Sequence, residues 1–152
     1  MKGLDRILAE HPFFAEFSAE HHELVAGCGR NHRFDAGRYI FREGDAADEF
    51  FLIRHGKVAL EIAAPGQAPI VFATLGEGEV VGASWLVPPF RQMFDARAVE
   101  LTRAIGLDAS CLRGKCDEDH DLGYAMMKAF VPVLAGRLQA TRLQILDVYG
   151  TR

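Results

Sequence analysis

The chain has 152 residues, of which 49% are hydrophobic and 25% are charged, a composition typical of one globular domain with a buried core. Its net charge of −4 argues against a protein whose main task is to grip phosphate backbones. No apolar run approaches the roughly 18–20 residues that span a bilayer, so we expect no membrane segment. Three cysteines, Cys28, Cys111 and Cys116, do not make a disulfide framework, which predicts buried, inert thiols and a cytoplasmic protein.

Short helices are predicted in residues 1–32. Leu4 and Ile7 lie one helical turn apart, and Pro12 then interrupts the run. Ser18 is a candidate N-cap for a second short helix, because its hydroxyl can accept a hydrogen bond from a free amide of the first turn.

Short β segments punctuated by glycine are predicted for residues 33–108. A turn falls roughly every ten residues, which is typical of a closed barrel or a double-sheet jelly roll. Segments 50–53 and 57–62 flank Arg54-His55-Gly56, a spacing that predicts a β-hairpin. In the second segment apolar residues alternate with Ala59 and Glu61, which predicts one buried face formed by Val58, Leu60 and Ile62.

The last part of the chain, residues 109–152, is predicted to be helical, with a 3.6-residue period from Asp117 to about Tyr149. Pro132 falls inside this period and is expected to kink or divide the helix. The apolar positions exceed one stripe, so we expect one stripe to cover the β-roll and another to meet a second copy of the chain. The alternative is one broad stripe buried within a monomer. The apolar positions are Leu122, Met126, Phe130, Leu134, Leu138 and Ile145, widened by Val131, Leu143 and Leu146.

The segment from Phe41 to Val58, FREGDAADEFFLIRHGKV, resembles the front half of the cyclic nucleotide-binding domain. This superfamily contains Crp/Fnr regulators, kinase regulatory subunits and cyclic-nucleotide-gated channels. Five turn glycines fall at the spacing of the family, namely Gly37, Gly44, Gly56, Gly78 and Gly82. The resemblance extends over most of the chain. It implies one mainly-β domain, a cupin-like double-stranded β-helix or jelly roll with N-terminal helices and a long C-terminal helix.

In this family a phosphate-binding cassette holds the ligand, and residues 78–98 correspond to it. Turn amides and an arginine bind the cyclic phosphate, while a glutamate accepts a hydrogen bond from the ribose hydroxyl. Here Ala83 stands at the glutamate position and Gln92 at the arginine position, with Arg91 one residue earlier as an alternative cation. The resemblance therefore implies weak or no binding of cAMP and cGMP, with another small anion as a further candidate ligand.

The remaining candidate ligand contacts are the backbone of Gly82-Ala83-Ser84, the Arg97 side chain and, by resemblance to the Arg-Leu-Gln-x-Thr motif of the family, Thr141. Arg97 has an alternative interpretation as a surface or salt-bridging arginine. Thr141 would contact the purine across a dimer, or it would bond to a neighbouring carbonyl. A group of bulky residues is expected either to plug the pocket or to reshape it, namely Trp85, Pro88, Pro89 and Phe90.

Enzymatic chemistry is not expected. The histidines do not form the clustered pattern of a β-roll metal site, and three thiols are too few for an iron–sulfur cluster. The sequence has no nucleophile elbow, P-loop or pair of catalytic carboxylates. We therefore expect no metal and no certain cofactor.

The sequence favours a stand-alone regulatory module that signals through its C-terminal helix as a homodimer. Only Gly150-Thr151-Arg152 follow the predicted long helix, so we expect no helix-turn-helix output domain and no direct DNA binding. One alternative is a ligand-free dimeric scaffold that binds another protein. The other is a protein related to Crp/Fnr transcription regulators that acts without its own DNA-binding domain.

Overall fold

The computed structural model describes residues 3–150, and its N-terminal part is helical as predicted. Helix α1 spans Leu4–Glu10, a 3₁₀ turn spans Pro12–Phe14, and helix α2 spans Ala19–Ala26. The Ser18 hydroxyl caps α2 by accepting a hydrogen bond from the His21 amide at 3.1 Å. Within the described residues, no helix is both long enough and apolar enough to cross a membrane.

In the described part of the chain, eight strands form two four-stranded antiparallel sheets that face each other, so the predicted mainly-β jelly roll is confirmed. The strands are β1 (Gly29–Phe34), β2 (Tyr39–Phe41), β3 (Glu49–His55), β4 (Val58–Ile62), β5 (Ile70–Leu75), β6 (Val80–Val81), β7 (Asp95–Ala98) and β8 (Thr102–Asp108). One sheet has the order β1-β8-β3-β6 and the other β2-β7-β4-β5. The first strand begins at Gly29 rather than near Arg33.

Strand β3 separates two hydrophobic cores because both of its faces are buried. Phe50 and Leu52 point toward the helices and join a core that also contains Phe14 and Trp85. The intervening residues Phe51 and Ile53 point into the roll, where they join a second core. Successive side chains of a strand lie on opposite faces, so one strand serves both cores.

The predicted hairpin at Arg54-His55-Gly56 is wrong, because β3 and β4 lie in different sheets. The turn is instead a corner that carries the chain from one sheet to the other. Gly56 has φ +110°, and a Cβ atom there would lie 2.6 Å from the Leu101 carbonyl oxygen. Only glycine combines this conformation with this close approach.

The alternating burial predicted for β4 is also wrong. Val58, Ala59, Leu60 and Glu61 are all buried, whereas Ile62 is 46% exposed. The sheet is therefore covered on both faces near Glu61, where polar side chains described below pair with its carboxylate. An alternating sequence pattern does not reveal that a charged residue is covered by its own ion-pair partner.

Two helices follow the roll: α3 spans Ala109–Glu118 and α4 spans His120–Gly150. The Asp119 carboxylate caps the N-terminus of α4 by accepting a hydrogen bond from the Leu122 amide at 3.1 Å. Pro132 lies within α4, and the helix is not divided there. The predicted apolar stripe is only partly correct. Leu122, Met126 and Phe130 are buried, whereas three later members are exposed, namely Leu134, Leu138 and Ile145.

Cys28 and Cys111 form a disulfide bond, so the expectation of three unpaired thiols is wrong. The pairing of β1 with β8 places Gly29 opposite Leu107, and the Asp108 amide donates to the Cys28 carbonyl at 2.8 Å. The two cysteines therefore meet through strand pairing between distant segments, which spacing along the chain does not reveal. Cys116 remains a free thiol, and burial raises its pKa.

Candidate functional site

The cassette connects β6 to β7 and begins with a tight turn. Gly82 has φ +98°, the left-handed region that favours glycine, and Ala83 then leads into a 3₁₀ turn at Ser84–Leu86. Ala83 presents only a methyl group, so no carboxylate projects from this position of the turn.

Trp85 attaches this 3₁₀ turn to the helices. Its ring is fully buried, stacks on Phe50 at 4.8 Å between centroids, and meets Phe130 of α4 edge-on at 5.6 Å. Its carbonyl oxygen accepts a hydrogen bond from Arg113 of α3 at 2.6 Å. The cassette turn is thus in direct contact with both C-terminal helices.

Arg91 and Gln92 occupy different environments. Arg91 is exposed, and its guanidinium lies 3.5 Å from the Gly44 carbonyl oxygen on the outside of the roll. Gln92 is 4% exposed, and its backbone amide donates to the Asp45 carbonyl at 2.8 Å. Its side-chain Oε1 is buried without a hydrogen-bond partner in the described part of the chain. Of these two neighbouring residues, the buried one is therefore neutral and the charged one is exposed.

The surroundings of Gln92 are acidic rather than basic. A depression of about 350 Å³ is lined by Gln92 together with Asp45, Asp48 and Glu49. Hydrogen bonds and positive charge from Arg30 and His32 lower the pKa of Glu49 even though burial acts to raise it. The carboxylate is therefore ionised at neutral pH. An anionic group placed beside Gln92 would therefore lie close to carboxylates, whose nearest cations, Arg30 and His32, are already paired with Glu49.

Aromatic rings pack around Phe94, a cassette residue to which sequence reasoning assigned no role. Phe94 lies between Phe41 and Phe72, with centroid distances of 5.9 Å and 5.4 Å. Phe90, which has φ +59°, instead packs beneath the Arg113 guanidinium at 4.2 Å. Phe94 directly precedes β7.

Arg97 is engaged in an ion pair within the sheet. Its Nη2 lies 2.7 Å from Oε2 of Glu61, a carboxylate that is only 2% exposed, and its Nε donates to the same oxygen at 2.9 Å. The Glu61 carboxylate raises the pKa of Arg97 through these hydrogen bonds. Arg97 therefore makes the contacts of a salt-bridging arginine.

On α4, the Thr141 hydroxyl is exposed and donates to the Arg137 carbonyl oxygen at 2.9 Å, one helical turn earlier. The Arg137 side chain points toward the roll, where its guanidinium donates to the Val80 carbonyl oxygen. Sequence reasoning assigned a ligand role to Thr141 and none to Arg137, although both belong to the same motif. Among residues 3–150, no group of three or more His, Cys, Asp or Glu side chains is arranged to hold a metal ion.

Comparison with known proteins places the roll in a described family. Residues 31–119 match the family model for the cyclic nucleotide-binding domain. The chain is 25% identical over 118 residues to the CRP-like cAMP-activated global transcriptional regulator of Mycobacterium tuberculosis, an alignment that covers 78% of this chain and 51% of the relative. The chain thus spans about half the length of the curated relatives it matches.

Solved structures show the same fold. A cyclic nucleotide-binding domain from Methylobacillus flagellatus superposes with a TM-score of 0.82 at 19% identity, covering 97% of this chain and 86% of that one. The catabolite activator protein of Thermus thermophilus superposes with a TM-score of 0.71 at 25% identity, covering 91% of this chain and 63% of that one.

Proposed function

Because the chain belongs to the cyclic nucleotide-binding domain family, we propose that it is a regulatory module that binds cyclic nucleotides weakly and signals through α4. The observation that carries this proposal is the cassette itself. Ala83 supplies no carboxylate, and buried Gln92 supplies no positive charge where the family has its phosphate-binding arginine. The relatives named above, a cAMP-activated transcriptional regulator and a catabolite activator protein, support a regulatory role.

The size of the loss follows from two missing contacts. A charge-assisted contact to phosphate contributes about 1.5–3 kcal/mol, and a buried hydroxyl partner about 1–3 kcal/mol. Together they weaken binding by roughly 100- to 10,000-fold, so a micromolar site becomes at best a high-micromolar one. The carboxylates beside Gln92 act in the same direction.

Trp85 supports a mechanical connection from the cassette to α4. Its ring contacts Phe130 directly, so a shift of the 3₁₀ turn displaces a buried side chain of the output helix. Because protein cores are close-packed, α4 has to respond by changing its own position. A ligand or partner that binds one position of the turn better than the other then shifts the population of α4 positions.

The exposed face of α4 supports a homodimer. Tyr124, Met127, Val131, Leu134, Leu138, Thr141, Ile145 and Val148 are exposed and follow one another at alternating steps of three and four residues. This repeat of 3.5 residues is that of a left-handed coiled coil. We call this set the α4 seam; a second copy of the chain would cover it.

The dimer is tested by sedimentation of two variants. Leu138→Glu places a charge in the α4 seam and is expected to reduce the sedimenting mass to that of one chain. Leu143→Glu also replaces an exposed leucine of α4 but lies outside the seam, so it should leave the dimer intact. Equal effects of the two substitutions would contradict a dimer formed through the seam.

Calorimetric titration with cAMP and with cGMP tests the weak cassette. We expect no binding tighter than about 10 µM, and a dissociation constant below that value would overturn the proposal. The double variant Ala83→Glu/Gln92→Arg restores both missing groups and is expected to tighten binding at least about 100-fold. Arg91→Gln serves as the control and should change nothing, since the Arg91 side chain lies outside the roll.

A second candidate function is a ligand-free scaffold that binds another protein, favoured by the Phe94 ring between Phe41 and Phe72. Failure of the double variant to bind any cyclic nucleotide would favour this function over the sensor.

In either case we place the protein in the cytoplasm, where the Cys28–Cys111 bond would be reduced. The fold then has to form without it.

A further inference from the structure

A groove of about 680 Å³ runs between α4 and the edge of the roll formed by β5 and β6. The first three residues of the cassette, Gly78, Glu79 and Val80, contribute to it, and the other walls come from α4, from β5 and from the N-terminal 3₁₀ turn. Ala83 and Gln92 do not line the groove, so it does not depend on either of them.

Arg137 is the one cationic side chain in the lining, and its position is unusual. The guanidinium donates to the Val80 carbonyl oxygen, and burial lowers the pKa of Arg137 while the charge of Glu79 acts to raise it. Among the described residues, Arg137 forms no salt bridge with any carboxylate. A guanidinium has five N–H donors, so hydrogen-bonding capacity remains for a partner, and a partly buried cation without a salt bridge favours an anionic one.

Glu79 is the one acidic residue of the lining, and the rest of the groove is mainly apolar. Its lining includes the side chains of Phe13, Phe72, Leu75 and Val133. Gly136 leaves the floor open, since no atom lies within 4 Å of the position where its Cβ would be. The volume lies within the range of about 300–1,000 Å³ that small-molecule pockets occupy.

We propose that this groove binds a small amphipathic carboxylate whose anionic group pairs with Arg137 and whose aliphatic or aromatic body packs along α4 and β5. The pairing provides orientation, and the apolar body provides contact area. The groove uses none of the candidate ligand residues of the cassette, so it can bind its ligand whether or not cyclic nucleotides bind the cassette.

The groove remains open in the proposed dimer. The residues of α4 that face the roll, such as Val133 and Arg137, directly precede the seam residues Leu134 and Leu138 in the sequence. One residue corresponds to about 100° of rotation around a helix with 3.6 residues per turn. A second copy bound along the seam therefore does not cover the groove.

Two fluorescent probes that differ by one charged group test the site. Anilinonaphthalenesulfonate carries an anionic group on an apolar body, and phenylnaphthylamine is the same aromatic body without that group. Arg137→Met is expected to weaken the anionic probe by on the order of 10- to 100-fold while changing the affinity of the neutral probe less than about twofold. Arg142→Met, an exposed arginine of the same helix, should change neither affinity.

A variant that fills the groove provides a second, independent test of the site. Gly136→Leu places a side chain into open space on a helix and replaces a poor helix former with a good one, so the fold should persist. Both probes should then bind at least about tenfold more weakly. In the unmodified protein, decanoate should displace the anionic probe, whereas decanol at the same concentration should not.

Several results would overturn the inference. Equal loss of both probes in Arg137→Met, or no loss of either, would show that the arginine does not receive the anionic group. Unchanged binding in Gly136→Leu would place the probes elsewhere, for example on the seam. If Arg137→Met does not fold, failure of decanoate to displace the anionic probe from the unmodified protein is decisive by itself.

Discussion

Reduction of the Cys28–Cys111 bond is expected to lower the stability of the domain without changing its native fold. The native positions of both cysteines are already set by the pairing of β1 with β8 and by the hydrogen bond from Asp108 to the Cys28 carbonyl. The bond therefore adds little constraint to the folded chain. Its main effect is to restrict the unfolded chain.

The magnitude follows from the length of the loop that the bond closes. The two cysteines are separated by 83 positions in the sequence. In the chain-entropy treatment, a loop of this length contributes about 4.5 kcal/mol to the free energy of unfolding. A domain of this size loses about 2–4 °C in Tm per kcal/mol, so reduction should lower Tm by roughly 9–18 °C.

Thermal unfolding followed by circular dichroism, with and without a phosphine reductant, measures this difference. The double variant Cys28→Ser/Cys111→Ser should melt near the temperature of the reduced protein and should not respond to the reductant. Cys116→Ser removes only the free thiol and should retain the full response. If the reduced protein, with its thiols counted by alkylation and mass spectrometry, melts within about 2 °C of the oxidised protein, the chain-entropy reasoning is wrong.

Two further predictions concern the roll and its N-terminal helices. Gly56→Ala should lower the free energy of unfolding by at least about 2 kcal/mol, because the new Cβ meets backbone atoms at the sheet corner. Gly66→Ala, also at positive φ but in open space, should lower it by only about 1–2 kcal/mol. Denaturant unfolding of the two variants measures the difference. His11 donates from Nε2 to the Ile53 carbonyl and accepts the Phe13 amide at Nδ1, and burial lowers its pKa below 6.5. Because the unfolded chain then binds more protons, the contribution of His11 is complete above about pH 6.5 and decreases as the pH falls. Tm should therefore drop between pH 7 and 5.5, and an equal drop in His11→Gln would contradict this assignment.

Local sequence patterns predicted the elements of this fold better than their connections. The turn at Arg54-His55-Gly56 has the residues of a hairpin, and the chain there crosses to the other sheet instead. The choice depends on which strand lies beside β3, and that strand is β8, about fifty residues further along the chain. The Cys28–Cys111 bond was missed for the same reason.

The candidate site was predictable in position and not in its contacts. The cassette glycines located the turn, and the substitutions at Ala83 and Gln92 were visible in the sequence. Whether Arg91 or Gln92 faces inward depends on the path of the loop before β7, which only the structure gives. The burial of Arg137 likewise follows from the way α4 crosses the roll.

The two faces of α4 have a thermodynamic consequence for each other. Groove residues such as Arg137 and seam residues such as Leu138 are neighbours on one rigid helix, so a rotation of α4 about its axis alters both sets of contacts together. If an occupant of the groove favours the rotation in which two seams fit, it strengthens self-association by some factor. Reciprocity then requires self-association to strengthen binding in the groove by the same factor. A measured change in the dimerisation constant would therefore give the change in the affinity of the groove.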